Sequence, residues 1–190
     1  MPALTSTQKP IWFDQLLHSS SALYNVGGYI GIKGNIDPAL FSKALNAVLS
    51  SNDIFSLAFK VINGVPMQDI KSLGYYSPEL IDYSSFLNPD SFCKEWMQRE
   101  AEIPLAWNNK ETFKFALLKA SNDYHYWYIK LHHLIADGWA ISLLVEQVAK
   151  AYENLKSGQE ILSAPFSYSQ FIEDDKKYLE SESYKLDKAF

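Results

Sequence analysis

The chain has 190 residues, 47% hydrophobic and 21% charged, enough for one domain or one large lobe with its own core. Its net charge of −5, its pI near 5.3 and its lone arginine, Arg99, argue against nucleic acid as a partner, because phosphates are gripped by clusters of Lys and Arg. One cysteine, Cys93, excludes an internal disulfide and a Cys-based zinc cage; no apolar run approaches the roughly 20 residues of a membrane span, no signal peptide is visible, and the expected setting is reducing and cytoplasmic.

Helix and strand patterns alternate along the chain. Ser6 to Leu17 reads as a helix with Pro10 in its first turn. Ser19 to Gly28 reads as a polar loop, and Tyr29 to Lys33 as a strand closed by Gly34-Asn35. Asp37-Pro38 is an N-cap followed by proline at the first helical position. The helix it opens carries an apolar stripe of Leu40, Phe41, Ala44, Leu45, Val48 and Leu49. Phe55 to Ile62 and Val65 to Ile70 form a hairpin around Asn63-Gly64. Lys71 to Asn88 is mixed and reads as loop, and Pro89 opens a helix to about Ile103. Phe113 to Lys119 and Tyr124 to Leu131 read as strands joined at Ser121-Asn122-Asp123. Trp139 to Ser157 is a long helix ended by Gly158. A loop with Pro165 leads to a last helix, Tyr168 to Leu179. The charge-rich end carries no stop signal, so further chain is expected beyond Phe190. The aromatic content of 15% suits half-buried sheet surfaces.

The chemistry concentrates in Leu131-His132-His133-Leu134-Ile135-Ala136-Asp137-Gly138-Trp139. If the strand persists to its end, alternation sends His132 and His133 to opposite faces, one into packed interior and one toward an opening. A histidine titrates near neutrality and handles protons. Asp137-Gly138 suits a sharp turn into the next helix, with Asp137 as its cap and Gly138 leaving room for a substrate beside the backbone. Other roles stay open from the residues alone. The histidines could be structural, and His133 with Asp137 could hold a metal if that stretch were helical. The upstream strand and Gly138 argue against that helix, no His-Glu-x-x-His pattern exists, and no metal site is expected.

His132-His133-x-x-x-Asp137-Gly138 resembles the signature of nonribosomal peptide synthetase condensation domains, within the chloramphenicol-acetyltransferase-like superfamily. Leu4-Thr5-x-x-Gln8-x-x-Ile11-Trp12-Phe13 is similar to the family's first motif, and Tyr24-Asn25-Val26-Gly27-Gly28-Tyr29 to the loop and strand that follow it. The resemblance spans essentially the whole chain. It implies an α/β (α+β) sandwich: one lobe of the two-lobed fold, a mixed sheet flanked by helices. Residues 1–175 would form the amino-terminal lobe and 176–190 the start of the connection to a second lobe.

The resemblance further implies amide bond formation between a donor acyl or aminoacyl thioester and an acceptor amine. Both ride on phosphopantetheine arms of carrier proteins, so no cofactor is bound directly. The partners are donor and acceptor carrier proteins and downstream synthetase domains, with no membrane. His133 corresponds to the catalytic residue, which takes the amine proton or positions the amine. His132, Asp137 and Gly138 correspond to supporting positions, Gly138 where the donor arm passes, and Trp139 is a candidate for the substrate channel. One departure stands out. The second family motif falls at Asn52 to Phe59, and the arginine that pairs with the motif Asp is replaced by Ser56. A buried Asp137 left unpaired would cost about 3–5 kcal/mol, so it needs other donors or solvent. The alternatives are an ester-forming or epimerising relative, or a non-catalytic partner-recruitment module of the same fold.

Overall fold

The structure, a computed structural model, describes residues 1–107, 111–161 and 167–188. In chain order the elements are α1 (Gln8–Leu17), β1 (Asn25–Lys33), α2 (Pro38–Ser51), a single 3-10 turn (Asp53–Ser56), β2 (Leu57–Ile62), β3 (Val65–Ile70), β4 (Glu79–Asp82), α3 (Pro89–Glu102), β5 (Phe113–Ser121), β6 (Tyr124–His132), α4 (Gly138–Lys156), α5 (Tyr168–Leu179) and α6 (Glu182–Lys188). A mixed four-stranded sheet runs in the order β1-β6-β5-β4, with β4 parallel to β5 and the other pairs antiparallel. Strands β2 and β3 form a separate hairpin. The expected mixed sheet flanked by helices is what the chain forms.

Both faces of the central strands are covered, which is why β5 and β6 read as nearly continuous apolar runs. Phe115 and Leu117 with Trp127, Ile129 and Leu131 share a cluster with Leu45 and Leu49 of α2 and Leu144 and Val148 of α4. The alternate residues Ala116, Leu118, Tyr126 and Tyr128 pack with Cys93 and Met97 of α3 on the other face. Leu45, Leu49, Phe115 and Leu131 are completely buried, each contributing about 1.5–3 kcal/mol by leaving water. Helix α2 starts as its sequence requires. The Asp37 carboxylate accepts from Ala39 N–H (2.8 Å) and Leu40 N–H (3.1 Å), with Pro38 at the first helical position. In the hairpin, Asn63 (φ 50°) and Gly64 (φ 78°) both take the left-handed backbone that a two-residue primed turn demands.

Two expectations fail for one reason. Strand β1 begins at Asn25, four residues before Tyr29, and β4 lies within the stretch expected as loop. Both are edge strands, fixed by pairing with residues about 40 to 100 positions away, which local pattern does not report. Gly27 is in the strand because it pairs opposite Lys130 of β6, and it is glycine because a Cβ there would lie 2.0 Å from the Ile129 carbonyl oxygen. The chain also forms α6 beyond the last expected helix, and α5 runs unbroken across residues 175 and 176. The loop expected around Pro165 lies outside the described residues. No helix among the described residues is long and apolar enough to cross a membrane.

A buried ionic knot ties the end of α3 to β6. Lys130 Nζ donates to Glu100 Oε1 (2.5 Å), the Glu100 carbonyl (2.7 Å) and the Ile103 carbonyl (3.0 Å). Glu100 also pairs with Lys114 (2.9 Å), and Asn25 Nδ2 donates to the carbonyls of Ala101 (3.1 Å) and Ile103 (2.9 Å). The carbonyls at the end of α3, which have no partner within the helix, are thereby satisfied by a cation and an amide.

Candidate active site

Strand β6 delivers the two histidines, and backbone bonds on both sides hold its end. His132 N–H donates to the Thr112 carbonyl and His133 N–H to the Tyr24 carbonyl, both at 2.8 Å. Strand β6 ends at His132 and His133 opens the turn, and the two side chains part: His132 is 1% exposed and His133 faces solvent. The next residues, Leu134 and Ile135, are buried and anchor the turn in the core. The chain then emerges at Asp137 and enters α4.

Each histidine has a defined tautomer. His133 Nδ1 lies 2.9 Å from the Ala136 carbonyl. A carbonyl only accepts, so Nδ1 carries the proton and, in the neutral ring, Nε2 keeps the lone pair. For His132 the assignment is reversed. Leu134 N–H donates to its Nδ1 (3.1 Å), so the proton sits on Nε2, which lies 3.4 Å from Gln15 Oε1. Burial, and then the neighbouring His133, push the His132 pKa down to about 4, so this ring is neutral at pH 7.

A cleft of about 360 Å³ opens beside His133. It is lined by Thr7, Gln8 and Ile11 from α1 and the segment before it, by Ile54, by residues 133–137, by Ala140, and by Tyr168 and Phe171 of α5. A second, more apolar cleft of about 330 Å³ continues from it along α4. Ile54, Ile135, Ala136, Ala140 and Tyr168 line both.

Asp137 is exposed and accepts from Ala140 N–H at 2.8 Å, the N-cap of α4. The buried, unpaired carboxylate that the loss of the arginine would create does not arise, because solvent and a backbone donor satisfy Asp137. No ion pair forms at Asp137 among the described residues. Ser56 sits at the end of the 3-10 turn, and its carbonyl accepts from Lys71 N–H (3.0 Å). Gly138 opens α4 with no atom within 4 Å of where a Cβ would stand. Trp139 is 73% exposed on the first turn of α4 and lines neither cleft. Among the described residues no group of three or more His, Cys, Asp or Glu side chains is placed to hold a metal ion.

Several residues that hold this arrangement, Gln8, Tyr24 and Asp53, stand in the sequence only as parts of family motifs, with no role of their own marked. Gln8 accepts from Thr5 N–H (3.0 Å) and donates to the Leu134 carbonyl (3.1 Å). Asp53 accepts from Tyr168 N–H (2.6 Å) and so seats α5 against the cleft. Tyr24 donates its hydroxyl to Asp14 (2.9 Å) while its carbonyl holds His133. The signal available was that Gln8 and Gln15, both polar, sit on the apolar face of α1 with Trp12, and all of these are buried.

Comparison with known proteins places this geometry. The family model of the condensation domain matches residues 1–190. The chain is 33% identical over 189 residues to a dimodular nonribosomal peptide synthase of Bacillus subtilis (strain 168), covering 99% of this chain and 8% of the synthase. It is 27% identical over 190 residues to enterobactin synthase component F of Escherichia coli (strain K12), covering 98% of the chain and 15% of that protein. A variant of the starter condensation domain of rhizomide synthetase, solved in complex with C8-CoA, superposes with a TM-score of 0.94 at 30% identity, covering 99% of this chain and 44% of that one. The chain therefore spans less than half of the solved domain and a small part of each synthase. Family model, relatives and fold agree: the chain belongs to the condensation-domain family of nonribosomal peptide synthetases.

Proposed function

We propose that the chain supplies one wall and the proton-handling residue of a site that joins a carrier-bound acyl or aminoacyl thioester to a carrier-bound aminoacyl acceptor. The observation that carries the reading is His133. It stands exposed at a cleft with Nδ1–H committed to the Ala136 carbonyl, which leaves the Nε2 lone pair for an incoming amine. The acceptor amine attacks the thioester carbonyl, and the C–N bond forms as the C–S bond breaks. His133 Nε2 takes or steers the surplus ammonium proton, which ends on the departing thiolate. The thioester supplies the activation, so neither ATP nor a bound cofactor enters the step. Alignment of two tethered reactants removes several kcal/mol of barrier, and proton handling adds about 10²–10⁴-fold.

The partners in this reading are donor and acceptor carrier proteins, with downstream synthetase domains, and the setting is cytoplasmic. The apolar cleft running on from His133 favours an apolar acyl group on the donor side, as does the likeness to a starter condensation domain in complex with C8-CoA. Gly138 leaves its side of the turn open for a donor arm. Trp139, exposed beside that turn, is placed for contact with a second lobe or a carrier arm at the channel mouth. Residues 1–175 act as the amino-terminal lobe and 176–190 begin the connection.

The test is intact mass of an acceptor carrier after incubation with a loaded donor carrier and the chain extended through a second lobe. Gain of the donor mass with that protein, lost with His133→Ala, is expected. Equal turnover by His133→Ala overturns the catalytic role. Carrier binding without mass transfer by any version indicates the recruitment module instead.

A further inference from the structure

We propose that Gln15 is a positioning residue for His133, acting through the tautomer of His132. The inference rests on the reading of His133 as the proton-handling residue and adds what keeps it in place.

Gln15 is 2% exposed in α1 and cannot be turned over. Its Nε2 donates to two carbonyls, of His18 (2.8 Å) and Ser21 (3.2 Å). With the amide fixed that way, Oε1 is the atom presented to His132 Nε2, at 3.4 Å. An acceptor there selects the Nε2–H form of the ring. Nδ1 of His132 is then free to accept from Leu134 N–H (3.1 Å). In the opposite tautomer, Nδ1–H would face the Leu134 N–H, and Gln15 Oε1 would face a lone pair. Two buried donors and two buried acceptors would be left unmatched.

The Leu134 backbone is the pivot of the histidine turn. Its N–H is held by His132, and its carbonyl by Gln8. His133 lies immediately before it, with its own N–H on the Tyr24 carbonyl and its Nδ1–H on the Ala136 carbonyl. The orientation of His133 Nε2 is thus set from both sides of one residue, Leu134. Gln15 reaches it only through the ring of His132, and His132 carries out this task only as a neutral, Nε2-protonated imidazole. The two adjacent rings hold opposite tautomers, one to shape the turn and one to meet the substrate.

The first experiment needs no variant and no turnover. Long-range ¹H–¹⁵N correlation of the imidazoles in this chain reports the tautomer of each of its four histidines. His132 in the Nε2–H form at pH 7 is expected, and His132 in the Nδ1–H form overturns the proposal. The second experiment compares Gln15→Met with Asn46→Leu. Asn46 is a half-buried amide remote from the cleft that also makes three bonds, to Ser42, to Tyr76 O and from Tyr76 N. Gln15→Met is expected to mix the His132 tautomers and to lower kcat of the two-lobed protein about tenfold with little change in KM. Asn46→Leu should lower stability comparably and leave both readouts alone. Equal falls of kcat in the two variants, or an unchanged His132 tautomer in Gln15→Met, overturn the proposal. If the unmutated two-lobed protein transfers nothing while His132 holds the Nε2–H form, the functional reading fails and the tautomer lock stands.

Discussion

Glu100→Gln is expected to be among the most damaging single changes away from the apolar core, and its cost should depend on pH in a definite direction. The Lys130 side chain is 3% exposed and that of Glu100 10%. Burial pushes the Glu100 carboxyl up, but hydrogen bonds from Lys130 and Lys114, with their charges, outweigh it and hold the pKa below the usual range. Burial pulls the Lys130 ammonium down. The fall at Glu100 carries the argument, because this carboxylate answers to two ammonium groups whereas Lys130 answers to one carboxylate. Removing the charge of Glu100 leaves Lys130 buried without a countercharge, at a cost of about 3–5 kcal/mol. Lys130 can escape by losing its proton, which at pH 7 costs about 5 kcal/mol for a group of ordinary pKa near 10.4 and at pH 9 only about 2 kcal/mol. In the variant the unfolded chain binds more protons at Lys130 than the folded one, so stability rises with pH. Lys130→Met should cost less, about 1–3 kcal/mol. Each acceptor group then keeps a partner, Lys114 on Glu100 Oε2, Ile103 N–H on the Glu100 carbonyl and Asn25 on Ile103, and Glu100 Oε1 alone loses its donor. Urea unfolding at pH 7 and pH 9, at constant slope, measures both. The reasoning fails if Lys130→Met costs as much as Glu100→Gln, or if the Glu100→Gln deficit does not shrink at pH 9.

Asp137→Ala should destabilise by about 1 kcal/mol, the value of an exposed N-cap, and a loss above about 3 kcal/mol in urea unfolding would mean that Asp137 is a buried ion after all. His132 should make the fold acid-sensitive. Its folded pKa of about 4 lies below the ordinary 6.5, so its contribution is present above pH 6.5 and is lost as pH falls through 4. That amounts to about 3 kcal/mol, and His132→Leu should flatten the stability profile across that window. Gly27→Ala should cost several kcal/mol or detach β1, because its Cβ would meet the Ile129 carbonyl, whereas Gly28→Ala, with open space around its Cβ, should cost under about 1 kcal/mol; amide exchange along β1 reads the difference.

Local chemistry alone set much of this structure. Asp37-Pro38 had to start a helix, Asn63-Gly64 had to turn a hairpin, and Gly158, at φ 70°, had to end α4. Each answer depends only on neighbours along the chain, through backbone sterics and the orphan N–H and C=O groups of helix ends. The histidine turn was legible for a similar reason. Side chains alternate along a strand, so adjacent histidines at a strand end must part, one inward and one outward. Partners distant in sequence were not legible. Strand β4 exists because β5 offers it an edge, and Asn25 to Gly28 extend because β6 lies against them. Asp137 faces solvent because Leu134 and Ile135 take the buried places in its turn, and the family pattern around Ser56 could not foretell that. Gln15 and His132 stand 117 positions apart. Only the folding of α1 across the end of β6 makes one the acceptor for the other, and so bears on where the proton of the His132 ring resides, whereas that of His133 is set locally by the Ala136 carbonyl.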